Sequence, residues 1–304
     1  MPITSFHDDL PSKRPGPEGL KHDGNSVFGT TLVDWLAATN EPREPKEREY
    51  IRPSDALSCA RKVSYVANGT AGTEMEPSGM WNVTLGNNIH QMMGEATRAA
   101  YPDAQVEVQF DTTISIGDVD VPVVSYVDAF IPSLGLVTDF KSIGGFGYKM
   151  AIGERGTPQG AKPEHLIQAG IGALLCGASK VSVTYISKEA ISIAVANRKG
   201  FSETERFCAE WTVDLDDIRP QVEAEILRLW GINRLWHDEH TLASRKVPGI
   251  PVEISAPRDG SYVQKEIDPN TGIEIVLATG SYWGCNYCSY QQVCISDGGG
   301  RVTK

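Results

Sequence analysis

The sequence predicts an α/β domain with a mixed central sheet flanked by helices. Stretches with helical spacing and stretches with strand alternation follow one another along residues 54–240 instead of segregating into halves. The chain has 304 residues and is 40% hydrophobic, enough for a real core in one large domain or two modest ones. The segment Val123–Ser142, VVSYVDAFIPSLGLVTDFKS, has the form of two short strands with a turn at Pro132-Ser133, and the other elements are arranged around it.

Residues 1–50 are rich in proline, glycine and charge. They are expected to form a partly ordered extension with one short helix, Thr31–Ala38, and a polar linker, Glu41–Glu49. Ser54 is placed to cap a helix that stops at Gly69 and carries Cys59. A longer helix covers about Met80–Ala100, with Leu85, Ile89, Met92 and Ala96 as its apolar stripe. His90 lies beside that stripe, with Gly86 and Gly94 one turn away on either side, leaving room around the imidazole. Strands are expected within residues 104–143, followed by a glycine-rich loop, Gly144–Lys162. Pro163 opens a helix that Gly177 closes. Two strands, Lys180–Ser187 and Ala190–Ala196, precede a long helix, Val213–His240. A hairpin over about Ile250–Leu277 turns at residues 268–272, and the sequence shows no internal repeat.

The net charge of −11 argues against a passive nucleic-acid coat, which needs widespread basic charge. It leaves room for an enzyme with a local basic groove. No run of about 18 apolar residues is present, so no membrane span is expected. The opening MPITSFHDDLPSKR lacks an apolar core of a secretory signal, so a cytoplasmic protein is expected.

Candidate chemistry gathers on the central hairpin. Val137, Asp139 and Lys141 share one strand face, while Asp128 lies near the end of the preceding strand. Two carboxylates and a lysine among apolar strands are costly unless something pairs with them, and a divalent cation between Asp128 and Asp139 removes that cost. A surface hairpin with a chance Asp-x-Lys is the bland alternative. Arg61, Lys62, Lys149, Arg155 and Lys162 cluster in sequence around these positions.

Six cysteines in a cytoplasmic chain point to metal or redox chemistry before disulfides. Cys285, Cys288 and Cys294 are spaced C-x2-C-x5-C, which can grip one metal centre from a single turn. Cys176 and Cys208 sit in apolar contexts, which leaves Cys59 as the candidate fourth ligand. A zinc site is the main alternative, although paired short spacings from both halves are its usual form.

Taken together, these residues resemble the RecB-like nucleases with an iron–sulfur cluster, a family that includes CRISPR-associated exonucleases, the AddB nuclease domain and phage relatives. Cys59, Gly86-x-x-x-His90, Asp128, Asp139-Phe140-Lys141, Gln168 and Cys285/Cys288/Cys294 stand in the family's order over about residues 54–294. One departure is Gly172, four after Gln168, where the family usually has tyrosine; Tyr148 or Tyr185 could take its place. The resemblance implies a PD-(D/E)XK restriction-endonuclease-like core at residues 51–304, closed by a C-terminal iron–sulfur segment. It implies Mg²⁺ or Mn²⁺ on His90, Asp128, Asp139 and the Phe140 backbone carbonyl, with Lys141 and Gln168 completing the catalytic set. It implies a 4Fe–4S cluster on Cys59, Cys285, Cys288 and Cys294, and DNA-backbone contacts by the five basic residues. The implied activity is exonucleolytic DNA hydrolysis in recombination, repair or CRISPR-type processing, in a prokaryotic or phage-infected cell. The sequence carries no P-loop, so unwinding would fall to a helicase or recombinase partner. A catalytically inactive DNA-binding or partner module, stapled by an iron–sulfur or zinc site, is the competing reading.

Overall fold

Five strands form the central sheet in the computed structural model, which describes residues 27–39, 44–243, 261–267, 274–281 and 288–297. They are β1 (Gln105–Ile116), β2 (Val119–Ile131), β3 (Leu136–Ile143), β4 (Lys180–Ser187) and β5 (Cys208–Asp214), in spatial order β1-β2-β3-β4-β5. Every neighbouring pair is antiparallel except β3 and β4. A parallel pair needs a long crossover, and here it is made by α4 (Gly145–Ala151) and α5 (Pro163–Cys176). The α/β class with a mixed, helix-flanked sheet is thus the fold of this chain.

The two faces of the sheet are covered differently. On one, α5 and α7 (Leu215–Glu239) bury Ile167, Ile171, Val222, Ile226 and Leu229 against Val121 and Val123, and Ala169 and Ala173 against Val127, Val137 and Val181. On the other, Ile89 and Met93 of α3 (Pro77–Ala100) pack on a small cluster of Ala129, Phe140 and Ile186. The packed stripe of α3 is therefore rotated from the one expected. Met92 is 55% exposed, and the contact runs through Ile89, Met93 and Gly94.

The chain divides into two units, Met1–Glu41 and Pro42–Lys304. The described part of the first is α1 (Val27–Thr39), which includes the expected helix Thr31–Ala38. Residues 44–50, read from sequence as part of an extension, are tied into the second unit. Arg48 N donates to Ala67 O at 2.9 Å, its carbonyl accepts from Asn233 Nδ2 at 2.6 Å and His237 Nε2 at 2.9 Å, and Ile51 bridges Val123.

Three further expectations are corrected. Ser54 does not cap a helix but sits in a 3₁₀ turn, Pro53–Asp55, and α2 (Ala60–Ala67) starts later with Cys59 at its N-cap. Leu57 breaks the run with φ 51°, held there because its amide donates to Glu225 Oε1 at 2.7 Å. The Ala190–Ala196 stretch is no strand: its second half opens helix α6 (Ile193–Lys199), since Ser192 Oγ accepts from Val195 N and Gly200 turns left-handed behind it. The missing strand is Cys208–Asp214. The glycine-rich 144–162 loop contains α4, whose Tyr148 and Ala151 are buried.

The expected hairpin is present as β6 (Ser261–Ile267) and β7 (Glu274–Ser281), antiparallel to each other; its turn lies outside the described residues. The C-terminal segment 288–297, with α8 (Gln291–Ser296), lies on α2. Tyr290 stacks on Tyr65 at 5.4 Å, Asp297 pairs with Arg61 at 2.9 Å, and Thr73 N donates to Ser289 O at 2.7 Å.

Candidate active site

The site is built where the β1–β2 ladder is interrupted. Pairing runs Val106↔Ala129 and then Val108↔Val127, skipping Glu107 and Asp128. Glu107 has φ 56°, a left-handed conformation that costs a residue with a Cβ about 1–2 kcal/mol. The interruption changes the faces of both strands. Val106 and Ala129 join the α3-side cluster, whereas Val108 and Val127 join the α5-side cluster. At the point of change Glu107 and Asp128 turn toward α3, and one ligand atom from each comes within 4.8 Å of one on His90 and of the other.

Two glycines hold α3 close enough for this. A Cβ on Gly86 would lie 3.2 Å from Ser142 Oγ, and one on Gly94 would lie 2.8 Å from Val106 Cγ1. They make room for the sheet and not, as expected, for the imidazole. His90 Nδ1 lies 3.6 Å from Asp128 Oδ1, and the imidazole is held above its ordinary pKa chiefly by that carboxylate. Asp128 Oδ2 accepts from the Phe140 amide at 2.6 Å, so the backbone of β3 orients it.

Beside this group Asp139, Lys141 and Gln168 form a closed triangle. Lys141 Nζ donates to Asp139 Oδ1 at 3.1 Å and to Gln168 Oε1 at 3.0 Å, and Gln168 Nε2 donates to Asp139 Oδ1 at 3.0 Å. Asp139 is 6% exposed, and burial pushes its carboxyl up to about 7 despite the Lys141 charge. Its Oδ2 makes no hydrogen bond among the described residues; Lys141 Nζ is 2.9 Å away but off the bonding direction. Burial and the nearby Asp128 charge also raise Glu107. A buried carboxylate with an orphaned oxygen, next to two further carboxylates that converge on an imidazole, makes a donor set that suits a hard divalent cation. Among the described residues, His90, Glu107 and Asp128 are the one group with metal-ligand convergence.

His90, Asp128, Asp139, Lys141 and Gln168, far apart in sequence, are thus brought together, and Glu107 is the member that sequence reading missed. Its signal was weak, a single acid in an alternating strand. His165 was also missed as a neighbour of the site. Its Nδ1 is 2.8 Å from Tyr185 Oη, which accepts from Lys162 N at 2.8 Å, and burial pushes its imidazole down to about 3. Tyr185 is thereby committed, and Tyr148 is fully buried with its hydroxyl donating to Glu205 O, so neither stands in for the residue absent at Gly172. Gly172 itself lies against Val127 and Val137, 3.2 and 3.5 Å from where its Cβ would be.

The basic residues are spread over several elements. Arg61 does not face outward as a backbone contact would. Its guanidinium is spent on Asp297, Tyr65 Oη and the carbonyls of Leu242 and Ala243. Lys62 follows it on α2, Lys149 is on α4, Arg155 lies over the Phe146 ring at 5.1 Å, and Lys162 is 3.8 Å from Glu164. Of the cysteines, Cys59 caps α2, and Cys288 and Cys294 lie in the segment packed on it; Cys285 is outside the described residues.

No family model and no curated protein matches the chain. Among solved structures it is similar to SSO0001, at 18% identity over 88% of this chain and 96% of that one, with a TM-score of 0.47. It is similar to the alkaline exonuclease LHK-Exo of Laribacter hongkongensis, at 12% identity over 69% and 99% of the two chains, TM-score 0.35. A phage-related exonuclease of Haemophilus somnus 129PT follows at 10% identity over 60% and 82%, TM-score 0.35. Two of these three are exonucleases. At such identities and scores, the chemistry is read from the side chains of this chain. No described helix is long and apolar enough to cross a membrane.

Proposed function

We propose that this chain is a metal-dependent deoxyribonuclease acting at DNA ends, in recombination, repair or CRISPR-type processing. The observation that carries the reading is the convergence of His90, Glu107 and Asp128 next to the Asp139–Lys141–Gln168 triangle. His90, Glu107, Asp128 and Asp139 would hold Mg²⁺ or Mn²⁺, with the Phe140 carbonyl as a further ligand. An imidazole in the set favours Mn²⁺ over an oxygen-only site. Such a cation supplies polarisation of the phosphodiester and activation of water.

The remaining work falls to the protein. Asp139 and Gln168 fix the Lys141 ammonium, whose charge stabilises the charge that builds on the phosphate. Gln168 is tied to both partners and sets the distance between them. Phe140 N holds the Asp128 carboxylate so that its other oxygen faces His90.

The same proposal places a 4Fe–4S cluster on Cys59, Cys285, Cys288 and Cys294. What supports it is the packing of segment 288–297 on the helix that Cys59 caps. The cluster would staple the C-terminal segment in place, and zinc is the alternative metal; a brown protein absorbing near 400 nm argues for iron–sulfur, and a colourless one for zinc. Partners would be DNA and a helicase or recombinase that unwinds it.

The test is digestion of end-labelled single- and double-stranded DNA with Mg²⁺ or Mn²⁺, beside a circular control. Loss of linear DNA with the circle intact is expected. Binding without cleavage under every metal condition would leave a DNA-binding module instead.

A further inference from the structure

An open groove of about 380 Å³ runs from His90 along α3, between that helix and β1, bordered by Asn87, Gln91, Gly94, Arg98 and Glu107. His90, Gly94 and Arg98 follow at four-residue intervals and so lie in one line on the helix surface. Long helical side chains lean toward the N-terminus, and Gly94 offers nothing to obstruct this. Arg98 Nη1 lies 3.9 Å from where a Gly94 Cβ would be. The guanidinium therefore lies back over Gly94, about one turn, ~5 Å, from His90 along the axis. Among the described residues no carboxylate lies within 4.0 Å of it, and Glu107 is the acid that feels its charge. Asn87 and Gln91 add neutral hydrogen-bonding groups to the same wall.

We infer that Arg98 binds the phosphate next to the one hydrolysed, and that the α3–β1 groove is the track of the substrate strand. This rests on the nuclease reading. A chain of net charge −11 with carboxylates at its reaction centre repels a polyanion. A fork of N–H donors one turn from the metal-ligand group offsets that repulsion where the neighbouring phosphate falls, in the geometry that suits phosphate oxygens best. The competing role is that Arg98 merely offsets the charge of Glu107, upon which it acts.

The two roles are separated by substrate length. Wild type, Arg98→Ala and Arg98→Lys are compared, with saturating Mn²⁺, on a single-stranded oligonucleotide and on bis(p-nitrophenyl) phosphate, which has only the scissile phosphate. Arg98→Ala is expected to lose about tenfold more on the oligonucleotide than on the ester, in KM more than kcat, with partial rescue by Arg98→Lys. The salt dependence of oligonucleotide binding in EDTA should fall in slope by about 1. Equal losses on both substrates, or none on either, overturn the inference while leaving a wild type that cuts DNA as a nuclease. A wild type that neither cuts nor binds the oligonucleotide overturns the nuclease reading and this inference with it.

Discussion

Replacing Glu107 separates backbone strain from metal chemistry, because the two effects move different measurements. At φ 56° the residue is left-handed, and a Cβ there costs about 1–2 kcal/mol. Glu107→Gly removes that cost and gives back about 0.5–1 kcal/mol in chain entropy. Glu107→Ala keeps the strain. Both lose the carboxylate, so they should differ in metal-free stability by about 1 kcal/mol in favour of glycine, or about 1.5–2 °C in a chain of 304 residues. The metal arm is independent. At Mn²⁺ a hundredfold above its Kd, wild type gains about 2.7 kcal/mol. Loss of an outer-shell partner alone weakens affinity about 10–100-fold, so loss of a ligand leaves a gain of about 1.4 kcal/mol or less at the same concentration. Both variants should therefore show at most about half the wild-type Mn²⁺ shift in thermal melts followed by circular dichroism. Equal metal-free melting of the glycine and alanine variants would refute the left-handed backbone. An undiminished Mn²⁺ shift in either would refute Glu107 as a ligand.

Asp139→Ala and Lys141→Ala should each abolish DNA hydrolysis while the far-UV spectrum stays native; near-normal cleavage by a pure variant would remove the site assignment. The Asp139 carboxyl is raised from 3.8 to about 7, so between those pH values the native state holds a proton that the unfolded chain has released. Metal-free stability should therefore fall as pH rises from about 4 through 7, a slope that Asp139→Asn flattens in pH-dependent melts. For the same reason Mn²⁺ affinity measured by calorimetry should climb between about pH 6 and 8, since the cation displaces that proton. Glu225 is 4% exposed, pairs with Arg228 at 2.6 Å and holds the Leu57 amide. Glu225→Ala should cost about 1–3 kcal/mol in denaturant unfolding, because it takes a charged acceptor from the part-buried Arg228 guanidinium and the Leu57 amide, and a loss under 0.5 kcal/mol, on the order of a neutral surface change, would contradict it. Cys59→Ala should lower iron content and expose segment 288–297 to protease, whereas Cys176→Ala and Cys208→Ala should keep the visible absorbance; the reverse pattern would show the cluster wired differently.

Local chemistry alone determined much of the fold. Alternation marked β1, β2, β3 and β4, and the proline at the start and glycine at the end bounded α5, because strand and helix periods and the φ limits of proline and glycine are properties of the residues themselves. The Asp-x-Lys of β3 was legible for the same reason: residues two apart on a strand share a face, and Asp139 and Lys141 do meet. Where local preferences competed, sequence reading went astray. The β-branched run before Asn197 lost to the Ser192 cap and Gly200, and the helix expected from Ser54 lost to the Glu225 carboxylate, a partner 168 positions from Leu57.

The remainder was decided only by tertiary structure. No periodicity announces that Glu107 turns left-handed and leaves its ladder, since that conformation opposes the residue's own preference and is sustained by the elements around it. Nor could spacing show that Gly86 and Gly94 clear the way for Ser142 and Val106, or that Arg61 is consumed by Asp297 and two carbonyls. Sequence names the groups able to bind a cation or a phosphate. Which of them keep their charge, face the cleft and lie within reach of one another depends on desolvation and on contacts across the chain, and these exist only once it has folded.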